Sequence, residues 1–136
     1  MDLNDFLGPK RIVVDLRAQD RSEAINELLD HLVTHQKIKP DDKGTIADAV
    51  KKREVSMTTG AGYGIAIPHA LTDLVSELVG IIGRSRQGIQ FGSQKGEPVN
   101  LVFLFLVPRG QFKAYMTALA DIAKRLHKKD RADLGF

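Results

Sequence analysis

The sequence predicts a single α/β domain in which a mixed β-sheet carries helices on both faces. Short β-branched segments alternate with amphipathic helical segments, as in layered α/β domains. Residues 98–107 form a nearly unbroken apolar run beginning at one proline and followed by another, a pattern typical of a strand buried on both faces. The 136 residues suffice for one hydrophobic core and are few for two domains. We therefore interpret residues 1–136 as one domain.

The first half of the chain predicts one strand and two helices. Residues 11–16 are rich in β-branched side chains and predict the strand. Asp20 is a suitable N-cap with a glutamate three residues later, and apolar residues at helical spacing extend this first helix to about Gln36. Pro40 marks the start of a second helix, which we expect to end near residues 53–54.

The second half predicts a glycine-rich loop, three strands and a long helix. Glycines alternate through residues 58–64, which favours a loop, and residues 65–67 then predict a short strand ended by a proline. Residues 78–83 predict another strand with a turn at 85–88, ahead of the apolar run proposed as the sheet centre. The apolar residues of the last helix that we expect to cover the sheet are Phe112, Tyr115, Met116, Leu119, Ile122, Ala123 and Leu126.

Composition excludes several classes of function. The chain has no cysteine, so disulfides, thiolate metal sites and cysteine nucleophiles are excluded. Its start lacks a signal-peptide pattern and its longest apolar run, residues 101–107, is too short for a membrane span. We therefore expect a cytoplasmic protein without direct membrane insertion. The net charge of +3 includes a basic cluster at residues 124–131, but no nucleic-acid motif accompanies it, and a solvated face is favoured.

Four histidines are the main candidates for chemistry. His31 and His35 lie four residues apart on the first helix and could share a metal ion, but a metal site needs three or four ligands and no third is evident. Two exposed histidines without a metal are the favoured interpretation. His127 lies near a helix end, where its charge would interact favourably with the helix dipole. These observations leave His69 as the histidine to explain.

His69 follows a glycine-rich stretch and a proline that restricts its backbone. A neutral imidazole is a nucleophile at cytosolic pH, so an exposed histidine here can take part in covalent transfer. Glycines allow backbone N–H groups to converge on an anion, and threonine hydroxyls add donors. The residues of this predicted phosphate-binding loop are Thr58, Thr59, Gly60 and Gly62. The alternative is a histidine with a purely structural role at a strand end.

A family resemblance favours the functional interpretation. Residues 53–54 and 58–69 resemble the active-site signature of the IIA domains of the fructose, mannitol and nitrogen-regulatory branches of the bacterial phosphoenolpyruvate-dependent phosphotransferase system. The segments 88–91, 97–108 and 119–126 are also similar to this family. The resemblance covers nearly the whole chain and implies the mannitol/fructose-type IIA fold.

The resemblance implies a phosphoryl relay. His69 would accept a phosphoryl group from an HPr-like phosphohistidine carrier and pass it to a IIB domain, or keep it as a signal that regulates a transporter or kinase. Arg53 matches a family arginine and would approach the phosphoryl group, since a guanidinium makes paired hydrogen bonds to phosphate oxygens. The implied step uses no metal, nucleotide or other cofactor. A nitrogen-regulatory protein is favoured over a sugar transporter component because no IIB or membrane segment is attached.

The chain departs from the family at several positions. Tyr115 stands where members commonly have a second histidine, and its phenol cannot become cationic near neutral pH. Tyr63 and Ala70 replace a usual asparagine and glycine. The family usually continues with a further helix after residue 136, and apolar surface left open there would favour self-association into a homo-oligomer. The alternative function is a non-catalytic regulatory binding module with the same fold.

Overall fold

The computed structural model describes residues 12–13, 15–56, 60–62, 64–91 and 98–126. The helices are α1 (Arg21–Thr34), α2 (Lys43–Ser56) and α3 (Phe112–Leu126). The strands are β1 (Ile12–Val13), β2 (Gly60–Gly62), β3 (Ile65–Ala66), β4 (His69–Leu71), β5 (Val79–Ile89) and β6 (Val99–Val107). Two short 3₁₀ turns, Pro40–Asp42 and Arg109–Gln111, precede α2 and α3.

Helix α1 begins and ends with specific backbone signals. The Asp20 carboxylate accepts a hydrogen bond from the Glu23 N–H at 2.8 Å, which confirms the predicted N-cap. After the helix, Gln36 has φ 60°, and the N–H of Lys37 donates to the carbonyl of Leu32 at 2.9 Å. This left-handed residue and backward hydrogen bond form a Schellman end. Helix α1 therefore stops slightly before the expected position.

The sheet is mixed, as predicted. Its strands lie in the order β1–β5–β6–β3–β2, and β4 also pairs with β6. The pair β5–β6 and the pair β2–β3 are antiparallel, whereas β1–β5, β3–β6 and β4–β6 are parallel. Strands β3 and β4 follow one another along one side of β6, and β5 lies along its other side. Strand β6, which the apolar run forms, is therefore at the centre of the sheet, as predicted.

Strand β6 divides the core between two helical layers. Successive side chains of a strand point to opposite faces. Val102, Leu104 and Leu106 accordingly pack with α1 and α2 in one cluster, whereas Phe103 and Phe105 pack with α3 in another. Helices therefore cover both faces of the sheet, and the predicted fold class is confirmed.

One expected element end in the middle of the chain is two residues short, and another is wrong. Helix α2 runs through residues 53–54 and continues to Ser56. The segment 85–88, expected as a turn, lies inside β5, where the register with β6 shifts. Gly88 has φ 87° there, and its N–H donates to the Ser85 hydroxyl at 3.0 Å. A glycine with positive φ produces a β-bulge within one continuous strand, so the turn-like composition marks an irregularity and not a strand end.

The glycine-rich loop and the strand-end position of His69 also need correction. Residues 60–62 form strand β2, antiparallel to β3, because glycine adopts extended backbone when a partner strand is available. His69 does not follow the last strand of the motif but begins β4. The Pro68 carbonyl accepts the N–H of Phe105 at 3.0 Å, so the proline interrupts the strand without leaving the sheet. Thr58 and Thr59 lie outside the described residues.

The face of α3 that meets the sheet is narrower than the sequence predicted. Tyr115 and Ala118 are buried at 3% and 1% exposure, whereas Phe112 and Met116 are each 49% exposed. Residues 115 and 118 are helical neighbours three apart and form the centre of the contact, while 112 and 116 lie on its flank. The expectation that Phe112 and Met116 cover the sheet is therefore wrong. Position 119 and positions 121–126 have no described side chains.

Candidate functional site

His69 lies at the start of β4, on the face of the sheet that α3 covers. Its register partner on β6 is Phe105, whose side chain belongs to the α3-side cluster. The imidazole is half-buried, and its Nδ1 lies 3.1 Å from the carbonyl oxygen of Ile67. A carbonyl oxygen only accepts hydrogen bonds, so Nδ1 carries the proton in this contact. The Nε2 atom of the neutral ring then holds the lone pair, which makes it the nucleophilic nitrogen.

Tyr115 packs directly against His69. The two ring centroids are 5.2 Å apart, with the planes inclined by 36°. The phenol ring also meets Phe105 edge-on at 5.5 Å and Phe112 at 6.1 Å. Aromatic neighbours at these separations favour defined mutual orientations. The fold thus brings together His69 and Tyr115, which lie 46 positions apart in the sequence.

The structure describes the remaining predicted site residues only in part. Arg53 belongs to α2, which lies against β4, but its side chain is not among those described. Gly60 and Gly62 belong to β2, next to β3, which leads into the His69 strand. Thr58 and Thr59 fall outside the described ranges. The arginine contact and the phosphate-binding segment therefore stay predictions.

The two histidines at the end of α1, His31 within the helix and His35 as its C-cap, do not form a metal centre within the described part of the chain. His31 and His35 stack with ring centroids 6.5 Å apart. Across residues 12–13, 15–56, 60–62, 64–91 and 98–126, no three histidine or acidic side chains are placed to hold a metal ion together. His127 lies outside these residues. Among the same residues, no helix combines the length and apolarity that crossing a membrane requires.

Exposed apolar side chains occur next to His69 in sequence and next to Tyr115 on its helix. Leu71 ends the His69 strand and Leu74 follows shortly after, and both are exposed. Phe112 and Met116 lie on the exposed flank of α3, and Phe112 contacts the Tyr115 ring. Apolar surface beside a reactive group is typical of sites where a macromolecular partner approaches.

The sequence interpretation missed three groups that shape this site. The Ile67 carbonyl fixes the proton of the His69 ring. Phe105 is the register neighbour of His69 on β6 and meets the Tyr115 ring edge-on. Gln111 joins the start of α3 to the segment after β4. A backbone carbonyl has no signal in the sequence, and the pattern around Phe105 indicates only a buried apolar residue. Gln111 bonds to residues more than thirty positions away, so a local pattern contains no sign of its role.

Comparison with known proteins gives a family match over nearly the whole chain. Residues 5–134 match the family described as "Phosphoenolpyruvate-dependent sugar phosphotransferase system, EIIA 2". A nitrogen regulatory protein of Bradyrhizobium diazoefficiens is 32% identical over 132 residues, which are 97% of this chain and 84% of that protein. The fructose-specific EIIABC component of the phosphotransferase system from Bacillus subtilis is 28% identical over 130 residues, which are 96% of this chain and 20% of that protein.

A solved structure supports the same likeness in three dimensions. The crystal structure of nitrogen regulatory protein IIA-Ntr from Neisseria meningitidis superimposes with a TM-score of 0.83 at 26% sequence identity. The match covers 97% of this chain and 89% of that one. The overall fold described above is therefore shared with a solved protein.

Proposed function

Since the chain belongs to the EIIA type 2 family of the phosphoenolpyruvate-dependent sugar phosphotransferase system, we propose that His69 is its phosphoryl acceptor. The observation that carries the proposal is the 3.1 Å contact between Nδ1 of His69 and the Ile67 carbonyl. It leaves Nε2 unprotonated, on a half-buried ring at the start of a strand. The donor is an HPr-like phosphohistidine carrier. The function is that of a phosphocarrier, of nitrogen-regulatory or fructose type.

The transfer exchanges one phosphorus–nitrogen bond for another. The Nε2 lone pair of His69 attacks the phosphorus, the bond to the donor's imidazole breaks, and the donor ring regains its electron pair. The Nδ1 proton stays on the His69 ring, and the Ile67 carbonyl stabilises the positive charge that the ring acquires. The chemistry of this step is complete with the two imidazoles and the phosphoryl group, so it needs no nucleotide.

Tyr115 supplies a hydrogen-bond donor beside the phosphoryl group. Its ring lies 5.2 Å from that of His69, and its phenol can donate one hydrogen bond to a phosphoryl oxygen. A neutral hydrogen bond contributes about 0.5–1.5 kcal/mol, so we expect Tyr115→Phe to slow transfer roughly two- to tenfold. Tyr115→His adds a group that can be cationic, and transfer to a IIB domain should become faster.

Arg53 and the segment 58–62 complete the proposed site. Helix α2 lies against β4, and a guanidinium near the end of α2 would pair with phosphoryl oxygens. The hydroxyls of Thr58 and Thr59 and the backbone N–H groups of Gly60 and Gly62 would add neutral donors. The acceptor of the phosphoryl group is a IIB domain, or the group stays on His69 as a signal that regulates a transporter or kinase. The relationship to an EIIABC component, which is named for IIA, IIB and IIC parts, supports the IIB acceptor.

The test is phosphorylation with purified carriers. The chain is incubated with phosphoenolpyruvate, enzyme I and an HPr-like carrier, and an acid-labile phosphoryl group is measured by intact mass. We expect one phosphoryl group on the unaltered chain and none on His69→Ala. His35→Ala, which removes an exposed histidine directly after α1, is the matched control and should be phosphorylated normally.

The position of the phosphorus on the ring gives a sharper test. Coupling between ³¹P and ¹⁵N in the labelled protein should place the phosphorus on Nε2 of His69. Label on His69→Ala would disprove His69 as the acceptor, and label on Nδ1 would disprove the role of the Ile67 carbonyl. If no variant and no cognate carrier gives phosphorylation, while a regulated partner binds regardless of His69→Ala, the chain is a non-catalytic binding module.

A further inference from the structure

We infer that Gln111 is a positioning residue, which holds the first turn of α3 so that Tyr115 stays against His69. Gln111 touches neither ring in any contact described above, and it would act only through the placement of its helix. The inference deepens the proposed function and rests on it for its kinetic test. It also has a spectroscopic test that does not require phosphoryl transfer.

The Gln111 amide uses both of its ends to join two distant segments. Its Oε1 accepts the Leu78 N–H at 3.1 Å, and its Nε2 donates to the Ser76 carbonyl at 3.3 Å. The partners lie 33 and 35 residues away in sequence. A side-chain amide offers a hydrogen-bond acceptor and a hydrogen-bond donor on two atoms bonded to the same carbon. Replacement by an apolar side chain would leave the Leu78 N–H without this acceptor.

Asp73 makes a second connection between the same two segments. Its Oδ1 accepts the Arg109 N–H at 3.1 Å, and its Oδ2 lies 3.9 Å from Nη1 of Arg109. Both side chains are well exposed, so solvent weakens this ion pair. We call the contacts of Gln111 and Asp73 between residues 73–78 and 109–111 the clamp, and the half-buried Gln111 is its stronger part.

The clamp joins the segment that follows the His69 strand to the segment that precedes the Tyr115 helix. Residues 73–78 follow β4, which begins with His69, and the Thr72 N–H donates to the Val107 carbonyl at 2.9 Å to keep that strand on β6. Residues 109–111 lead into α3, and Tyr115 lies about one helical turn beyond Gln111. A shift of this first turn would therefore move the Tyr115 ring relative to the imidazole.

Packing alone does not fix the first turn of α3. Phe112 is 49% exposed, so it adds little burial at the helix start. The deeper anchors, Tyr115 and Ala118, would allow the fold to survive the loss of the clamp while the turn before them moves. Small misplacements near a reacting group can cost up to about a hundredfold in rate. We expect Gln111→Ala to slow phosphorylation of His69 about tenfold.

A double-mutant cycle separates positioning from general destabilisation. Phosphorylation rates by the HPr-like carrier are measured for Gln111→Ala, Tyr115→Phe and the double variant. If Gln111 acts through Tyr115, its substitution slows the unaltered chain about tenfold and the Tyr115→Phe chain less than about twofold. An equal slowing in both backgrounds would overturn the inference. Gln87→Ala, an exposed glutamine of β5, is the matched control and should leave the rate unchanged.

A second variant separates hydrogen bonding from packing. Gln111→Met preserves the length of the side chain and removes both hydrogen bonds. It should lose nearly as much rate as Gln111→Ala, and full retention of rate would overturn the role of the amide. Failure of the unaltered chain to be phosphorylated would count against the proposed function alone.

The spectroscopic test then decides the inference independently of phosphoryl transfer. Nuclear Overhauser contacts between the rings of His69 and Tyr115 should weaken in Gln111→Met, while the dispersed amide spectrum of the folded protein remains. Unchanged contacts would disprove the positioning role. If Gln111→Met is unfolded, the same spectra on Asp73→Asn, which weakens the other half of the clamp, should show a partial loss of the ring contacts, and unchanged contacts there would equally overturn it.

Discussion

Gln36→Gly should stabilise the protein, although most glycine substitutions destabilise. Gln36 has φ 60° at the end of α1 and is the one non-glycine residue with positive φ in the described part of the chain. The left-handed conformation costs a residue with a Cβ roughly 1–2 kcal/mol. Glycine avoids this cost but loses about 0.5–1 kcal/mol because its unfolded chain is more flexible. The difference predicts a gain of about 0.5–1 kcal/mol in the free energy of unfolding.

The assay is urea unfolding followed by circular dichroism, with thermal melts alongside. For a chain of this length the gain corresponds to a rise of about 2–5 °C in the melting temperature. Gln87→Gly is the matched control, because Gln87 is exposed within β5 and lacks a positive φ. We expect it to lower the free energy of unfolding by about 0.5–1 kcal/mol. The reasoning fails if Gln36→Gly lowers the free energy of unfolding, or if both variants change it alike.

Three further variants test individual contacts of the fold by urea unfolding. Gly88→Ala should cost about 2–4 kcal/mol, because φ is 87° and an added Cβ would lie 2.6 Å from Cβ of Pro98; a loss below 1 kcal/mol would contradict the bulge geometry. Glu27→Gln should cost about 1–2 kcal/mol, since the carboxylate accepts three contacts from two backbone N–H groups ahead of α1; an unchanged midpoint would rule out a structural role. Phe105→Leu should lower the free energy of unfolding by about 1–3 kcal/mol. It should also slow phosphorylation, because the Phe105 ring meets the Tyr115 ring at 5.5 Å and its loss would loosen Tyr115. Full activity would show that Tyr115 needs no support from Phe105.

Features encoded by short stretches of sequence were predictable. The Asp20 cap forms between residues three apart, so its signal is present in a single window. The apolar run 98–107 predicted β6 at the sheet centre because a strand covered on both faces requires apolar side chains at nearly every position. The family signature around His69 likewise lies within one segment, so the phosphoryl acceptor could be proposed from the sequence.

The errors occurred where a distant partner decides the local structure. Residues 85–88 and 60–62 have turn-like composition, yet both lie in strands because neighbouring strands pair with them. Phe112 fits the apolar stripe of α3 but is 49% exposed, because the placement of the helix on the sheet decides which part of the stripe is covered. Local propensity is weak compared with the hydrogen bonds and burial that a partner strand or helix provides.

The sequence by itself determined the fold class, the central strand and the histidine at which chemistry is proposed. Tertiary structure decided how His69 is presented: which ring nitrogen carries the proton, and that the Tyr115 ring lies 5.2 Å away. It also decided that Gln111 joins the two segments leading from and to these residues. Periodicity and capping act within a few residues, whereas the contacts of Tyr115 and Gln111 connect positions more than thirty residues apart and exist only once the sheet has assembled.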